Sequence, residues 1–115
     1  MRLGYSVRYF HTSRLLHTLE QTRQEAAYPN LLRSLARTDL LILDDWMRDP
    51  LTQFNAQDIL EVLDDRFGHA STIVVAQMPV SEWFSQIPNP TLADAILDRL
   101  VHTAYRIQLS GESQR

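Results

Sequence analysis

Two adjacent aspartates, Asp44 and Asp45, directly follow a run of four apolar residues at positions 40–43. The run predicts a buried strand, which would place both carboxylates at its C-terminal end, where open α/β sheets bind their ligands. One acid there can hold Mg²⁺ directly or through water, and its neighbour can orient or deprotonate an attacking water. The pair therefore indicates metal-assisted phosphoryl chemistry, although aspartates in a turn after a core strand are the simpler alternative.

Two further residues are candidates for the same chemistry. Gln77 directly follows a second apolar run, 72–76, and would emerge at the same sheet edge, where its amide could contact a phosphate or the attacking water. Arg99 lies near the end of a helical pattern and has the charge that stabilises a transferring phosphoryl group. The alternatives are a loop amide bonded to the backbone and a solvated or ion-paired helix arginine.

Four strand patterns set the positions of these residues. The runs at 40–43 and 72–76 are continuously apolar, which predicts central strands buried on both faces. The segments 5–10 and 104–109 alternate between apolar and polar residues, which predicts strands toward the edges.

Helical patterns lie between the strands. They begin at residue types that favour helix starts: Thr12 or Ser13, Pro29, Thr52, and Thr91 with Asp94 as a capping box. Gly68 suits the end of the third helix, and prolines break 78–90 into a loop with a short helical turn around 82–84. Strands alternating with helices predict an α/β fold with a mainly parallel sheet flanked by helices.

Composition excludes several classes of protein. The chain has 115 residues and no cysteine, which excludes disulfides, thiolate zinc sites and a cysteine nucleophile. The 11 basic and 14 acidic residues leave a net charge of −3, which gives no support to DNA binding through overall charge. The four histidines lack zinc spacing. Without a membrane-length apolar run or a signal-peptide core, we expect a cytoplasmic protein with no membrane contact.

A family resemblance lies in four segments of the chain: GYSVRYFHTSRLL, RTDLLILDDW, LEVLDDRFGHASTIVVAQMPVSEWF and NPTLADAILDRLVHTAYRIQLSGESQR. Together they resemble the ATPase domain of IstB-like transposition helper proteins, relatives of the DnaC helicase loader within the AAA+ group of P-loop ATPases. The resemblance runs from Gly4 to the last residue. Its most distinctive part is PTLADAILDRLVH.

The resemblance implies a role for each candidate residue. Asp44 matches the Walker B acid that organises Mg²⁺, in this reading through water, and Asp45 matches the adjacent acid that activates water. Gln77 occupies the sensor position after the strand. Arg99 matches a finger that reaches a neighbouring subunit's nucleotide, with Arg66 and Arg106 as other available cations.

The resemblance also implies ATP and Mg²⁺ as cofactors, and three kinds of partner. These are DNA, a transposase, and further copies of the chain or full-length homologues. The implied function is that of an ATP-binding helper of DNA transposition in an insertion sequence. The alternative is a truncated, non-catalytic remnant that acts at most as a protein-interaction module.

One expected motif is missing from these residues. The sequence contains no GxxxxGK[ST] and no lysine, so it has no P-loop to cradle a triphosphate. In the family this loop and the first strand precede GYSVRYF, so we expect residues 1–115 to be a single partial AAA+ ATPase domain that does not hydrolyse ATP alone. The absence of lysine also argues against a phospho-acceptor receiver domain.

The missing first strand has a structural consequence. In the family it lies between the strands at 72–76 and 104–109, so its absence predicts either a gap or a sheet that closes up. An unpaired apolar strand at 72–76 would then favour self-association or marginal stability. Trp46 and Met47 stand where relatives commonly have an aromatic residue and a glycine, which predicts a different loop shape after the acids.

Overall fold

The structure, a computed structural model, describes residues 4–108. Strands and helices follow in this order: β1 (Val7–His11), α1 (Thr12–Gln24), α2 (Tyr28–Arg37), β2 (Leu40–Asp44), α3 (Gln53–Arg66), β3 (Ser71–Ala76), α4 (Pro90–Thr103) and β4 (Ala104–Gln108). Two short 3₁₀ turns, Val80–Glu82 and Phe84–Gln86, lie between β3 and α4. Within the described residues no helix is long and apolar enough to cross a membrane. The predicted α/β fold is confirmed, while the last predicted strand residue, Leu109, lies outside the described residues.

The four strands form one parallel sheet in the order β1-β2-β3-β4. The two continuous apolar runs are therefore the central strands, as predicted. β3 pairs directly with β4, with Thr72 opposite Ala104, so the sheet has closed up where a gap was the other expected outcome. Of the two expected outcomes the gap is not found, since β3 has a neighbour on each side, and the unpaired strand that would favour self-association is absent from the described sheet.

The helices cover one face of this sheet. A single hydrophobic core contains apolar side chains from all four helices and from one side of the central strands. The strand residues in this core are Leu41, Leu43, Val74 and Ala76. The intervening residues of β2 and β3 are only partly buried, and on β1 both Val7 and Tyr9 are more than half exposed. Burial of both strand faces was predicted and is not found, because the described helices pack on a single side.

Helix starts follow the sequence signals with two shifts. The predicted cap of α1 at Thr12 or Ser13 is wrong: His11 takes the cap position without a side-chain hydrogen bond, and Thr12 is already helical. The Thr52 side chain accepts the Asn55 N–H at 3.1 Å, which caps α3 as predicted. At α4 the cap is Asn89 and not Thr91: the Asn89 side-chain oxygen accepts the N–H groups of Thr91 at 2.8 Å and Leu92 at 3.1 Å. Pro90 takes the first helical position, where its missing N–H has no cost, so the cap falls two residues before Thr91.

A buried arginine joins the elements at the amino edge of the sheet. Arg66 is 1% exposed and ends α3. Its guanidinium donates to Thr72 Oγ1 at 2.9 Å and to the carbonyl oxygens of Leu35 at 2.5 Å and Thr38 at 2.6 Å. It also donates to the Ser71 carbonyl. Arg66 thus ties α2 and β3 to the end of α3.

Candidate functional site

The acid pair lies at the carboxyl edge of the sheet. Asp44 is the last residue of β2, and Asp45 follows it in the left-handed backbone region with φ +54°. This bend is held on both sides: the Asp45 N–H donates to Asp44 Oδ1 at 2.8 Å, and the Trp46 N–H donates to the Val75 carbonyl at 2.9 Å. The local backbone therefore places two carboxylates side by side where strand β2 ends, as predicted.

The neighbouring strand β1 supplies side chains that sequence reasoning did not assign to this site. The Tyr9 hydroxyl donates to Asp44 Oδ2, and His11 Nδ1 lies 2.9 Å from Asp45 Oδ2. Thr12 Oγ1 donates to the Asp44 main-chain carbonyl at 2.8 Å. The available signal was the alternation of Tyr9 and His11, which places both on one side of the strand. The register that pairs His11 with Asp44 comes from the fold.

These contacts favour the ionised form of Asp44. The hydrogen bond from Tyr9 lowers the pKa of the Asp44 carboxyl, helped by the Asp45 N–H and the nearby His11 ring, against a smaller opposing effect of burial. The same hydrogen bond raises the pKa of Tyr9, so its hydroxyl keeps its proton as the donor. Asp44 is thus a carboxylate at neutral pH, with two of its lone pairs already used.

The donor set fits a magnesium ion held mainly through water. Mg²⁺ prefers oxygen ligands and keeps several of its waters, binding through one or two carboxylates and substrate phosphates. Asp44 and Asp45 offer such oxygens at a solvent-accessible edge. Among the residues described here, no group of three or more His, Asp and Glu side chains could form an all-protein metal cage.

Gln77 shares a cavity with the second acid. It follows β3, is exposed, and lines a cavity of about 370 Å³ together with Asp45, Arg48 and Glu82. Arg48 Nη1 lies 3.7 Å from Asp45 Oδ2, which adds a cation that the sequence did not single out. The structure thus brings Asp45 and Gln77 together at one edge.

The loop after the acids is built on two buried side chains. Met47 is 1% exposed and has φ +61°, a left-handed conformation that glycine adopts at lower cost. The Trp46 ring is also buried and meets the Trp83 ring edge-to-face at 6.0 Å. Met47 is therefore held in a glycine-type backbone conformation by its surroundings.

Arg99 lies away from the acid pair. Its guanidinium contacts Asp64, pairs with Asp98 at 2.9 Å and stands 5.1 Å from the centre of the Phe67 ring. Helix α3 runs back from the carboxyl to the amino edge of the sheet, so Asp64, near its end, marks the amino side. Of the alternative cations, Arg66 is fully buried and Arg106 lies in β4.

Comparison with known proteins finds a matching family and relatives whose names refer to insertion sequences. The family model described as "IstB-like ATP binding protein" matches residues 1–115. A Sinorhizobium fredii protein named as insertion sequence ATP-binding protein y4pL is 53% identical over 110 residues, covering 96% of this chain and 45% of the relative. Another from the same organism, y4uH, is 46% identical over 114 residues, covering 99% of this chain and 46% of the relative. The chain therefore spans just under half the length of these relatives.

A solved structure supports the fold. The crystal structure of the DnaC helicase loader matches with a TM-score of 0.67 at 17% identity, covering 90% of this chain and 61% of the loader. At that identity the match concerns the fold alone. It supports the α/β fold described above.

Proposed function

Because this chain belongs to the IstB-like ATP-binding protein family, we propose that it acts in an ATP-binding helper of DNA transposition. The observation that carries the proposal is the meeting of Asp45 and Gln77 in one cavity, directly beside the ionised Asp44. An acid pair and an amide at the carboxyl edge of a parallel sheet suit the phosphate end of a nucleotide. The two Sinorhizobium fredii relatives are named as insertion sequence ATP-binding proteins.

Each residue at the edge has a distinct role in this proposal. Asp44 holds Mg²⁺ through water, and Asp45 orients the water that attacks the terminal phosphate. Gln77, across the cavity from Asp45, contacts that phosphate or the water. The metal, when bound, neutralises the phosphate charge.

We assign Arg99 to a contact between subunits. Its position toward the amino side separates it from the acid pair of its own chain, so it can serve only a nucleotide bound by another copy or a full-length homologue. Its side chain is 29% exposed and is paired with Asp64 and Asp98, so those pairs must rearrange as subunits meet. The partners proposed from Arg99 are further copies of the chain or full-length homologues, and the family adds DNA and a transposase as proposed partners.

A specific observation favours a second candidate function, that of a non-catalytic interaction module. The 115 residues contain no phosphate-binding GxxxxGK[ST] motif. They also leave Tyr5, Val7 and Tyr9 more than half exposed at the β1 side of the open sheet face. Such a surface suits contact with another protein without any nucleotide.

Calorimetric titration of the chain with ATP and Mg²⁺ separates the two functions. We expect saturable binding that Asp44→Ala abolishes. Asp49→Ala is the matched control, because Asp49 is an exposed acid in the same loop, paired only with Arg48 among the contacts described for it. Its binding should equal that of the unaltered chain.

Absence of binding by a chain that circular dichroism shows to be folded would overturn the nucleotide proposal and leave the interaction module. Equal loss in both variants would show that general negative charge at the loop, and not Asp44, is responsible. Sedimentation velocity on the same samples tests self-association, which we expect to increase with ATP. A monomer at all concentrations would contradict the role assigned to Arg99.

A further inference from the structure

The two side chains that β1 directs at the acid pair form one unit. The Tyr9 and His11 rings meet edge-to-face, with centroids 5.7 Å apart and an angle of 83° between their planes. Each ring binds one acid: Tyr9 contacts Asp44, and His11 contacts Asp45. The acids therefore have a dedicated set of hydrogen-bond partners on the neighbouring strand.

Asp44 is held at both of its carboxylate oxygens. Oδ1 accepts the Asp45 N–H at 2.8 Å, and Oδ2 accepts the Tyr9 hydroxyl. Hydrogen bonds to both oxygens restrain the plane of a carboxylate, and they leave its remaining lone pairs in defined directions. Among the contacts described for this side chain, loss of the Tyr9 hydroxyl would leave the Asp45 N–H as its restraint.

The packing around Tyr9 does not require a tyrosine hydroxyl at this position. It is 54% exposed and lies on the sheet face that the helices do not cover. Its hydroxyl is the group that connects it to the acid pair. A phenylalanine would keep the contact of the ring with His11 and lose only that hydrogen bond.

We propose that Tyr9 is a positioning residue for the metal-binding acid: its hydroxyl holds the Asp44 carboxylate in the orientation that receives Mg²⁺-bound water. This inference rests on the proposed function, since it presumes that Asp44 serves Mg²⁺. Partners that orient a metal-binding group in this way commonly contribute 10–100-fold, roughly, to metal affinity. Because Tyr9 is half exposed and water can replace part of its effect, we place the expected contribution near tenfold.

The test compares ATP binding with and without the metal. We would titrate the whole chain with ATP by calorimetry, once with Mg²⁺ and once with EDTA, for the unaltered protein, Tyr9→Phe and Tyr5→Phe. Tyr5→Phe is the matched control, because Tyr5 is an exposed tyrosine just before β1 with no contact to the acids among those described. Tyr9→Phe should lower the gain in affinity that Mg²⁺ confers by about tenfold, and leave binding in EDTA unchanged.

The outcomes distinguish this inference from the proposed function. If the unaltered chain gains affinity with Mg²⁺ and Tyr9→Phe gains equally, the inference is overturned and the role of Asp44 stands. If Tyr9→Phe weakens binding equally in Mg²⁺ and EDTA, or if Tyr5→Phe behaves the same way, Tyr9 is merely structural. If Mg²⁺ has no effect on the unaltered chain, the metal role of Asp44 fails and the positioning role fails with it.

Discussion

The two edges of the sheet both hold ionised side chains, but in opposite ways. At the amino edge, the Arg66 guanidinium is 1% exposed and donates to four oxygens. At the carboxyl edge, Asp44 and Asp45 are reached by water and are held by half-exposed partners on β1. Burial of a charge is tolerated only where its hydrogen bonds are complete. Arg66 therefore stabilises the fold, while the acid pair keeps lone pairs available for a ligand.

The largest effect on stability is expected at Arg66. Arg66→Ala leaves the carbonyls of Leu35, Thr38 and Ser71 without their donor and creates a cavity, so the free energy of unfolding should fall by about 3 kcal/mol or more. Urea denaturation followed by circular dichroism measures this. Arg37→Ala, which removes an exposed arginine at the end of α2, should change stability by less than about 0.5 kcal/mol. Comparable losses of unfolding free energy in the two variants would show that buried Arg66 stabilises the fold no more than an exposed arginine does.

A smaller effect is expected in the loop after the acids. Met47→Gly relieves the left-handed backbone but removes a fully buried side chain, so the net loss of unfolding free energy should be about 2 kcal/mol. Ala26→Gly is the control, because Ala26 has φ +63° and is exposed. That change should stabilise the protein by about 0.5–1 kcal/mol. Stabilisation of both variants would show that burial of Met47 contributes little.

A partly buried hydrogen-bond network on the helical side makes the stability of the protein depend on pH. The Tyr28 hydroxyl donates to Glu61 Oε1 at 2.7 Å, and its oxygen lies 3.3 Å from Asp58 Oδ1. Burial, followed by the bond to Glu61, raises the pKa of Tyr28 well above its ordinary value. Because the folded pKa is the higher one, this stabilisation is complete below about pH 10 and is lost as the pH rises through the folded pKa.

Tyr28→Phe should therefore lower the free energy of unfolding by about 1 kcal/mol at neutral pH. Between about pH 9 and about pH 11, the variant should then lose less unfolding free energy than the unaltered chain. Urea midpoints at the two pH values measure this difference. The chain has no lysine or cysteine, so tyrosines dominate titration in that range. Parallel losses in both proteins would show that the Tyr28 hydrogen bonds do not respond to pH.

The smallest effect on stability is expected at Asp44. Asp44→Asn keeps one oxygen, which can accept the Asp45 N–H, and its amide NH2 can donate to the Tyr9 hydroxyl oxygen. Because the position is only partly buried, stability should change by less than about 0.5 kcal/mol. Magnesium-dependent ATP binding should nevertheless be lost, because the neutral amide is a far poorer partner for a metal-bound water. Urea denaturation and calorimetry on one preparation measure both quantities. A large loss of stability would make the acid pair a structural feature like Arg66.

Much of the fold could be predicted because local patterns carry it. Continuous apolar runs marked β2 and β3 as the central strands, and Thr52 was correctly identified as a helix cap. The cap of α4 was placed at Thr91 and is Asn89, because Pro90 also tolerates the first helical position. The pairing of β3 with β4 was open at the sequence level, since strand neighbours are chosen by packing and not by periodicity.

The candidate site was predictable only in part. Asp44, Asp45 and Gln77 could be placed at one edge because parallel strands end together. Tyr9 and His11 were missed because their contacts to the acids span 35 and 34 residues along the chain, respectively. Their roles, and the trans role of Arg99, stay predictions.

The sequence by itself determined the order of strands and helices, the family, and the position of the acid pair at a strand end. The order of elements and the position of the acids follow from side-chain periodicity and helix signals, which act over a few residues, while the family follows from similarity to known sequences. Only the tertiary structure decided which side chains hold the acids, which sheet face is covered, and that Arg66 is buried while Arg99 faces away from the acid pair. Those outcomes depend on strand register and helix packing, in which segments distant along the chain select one another.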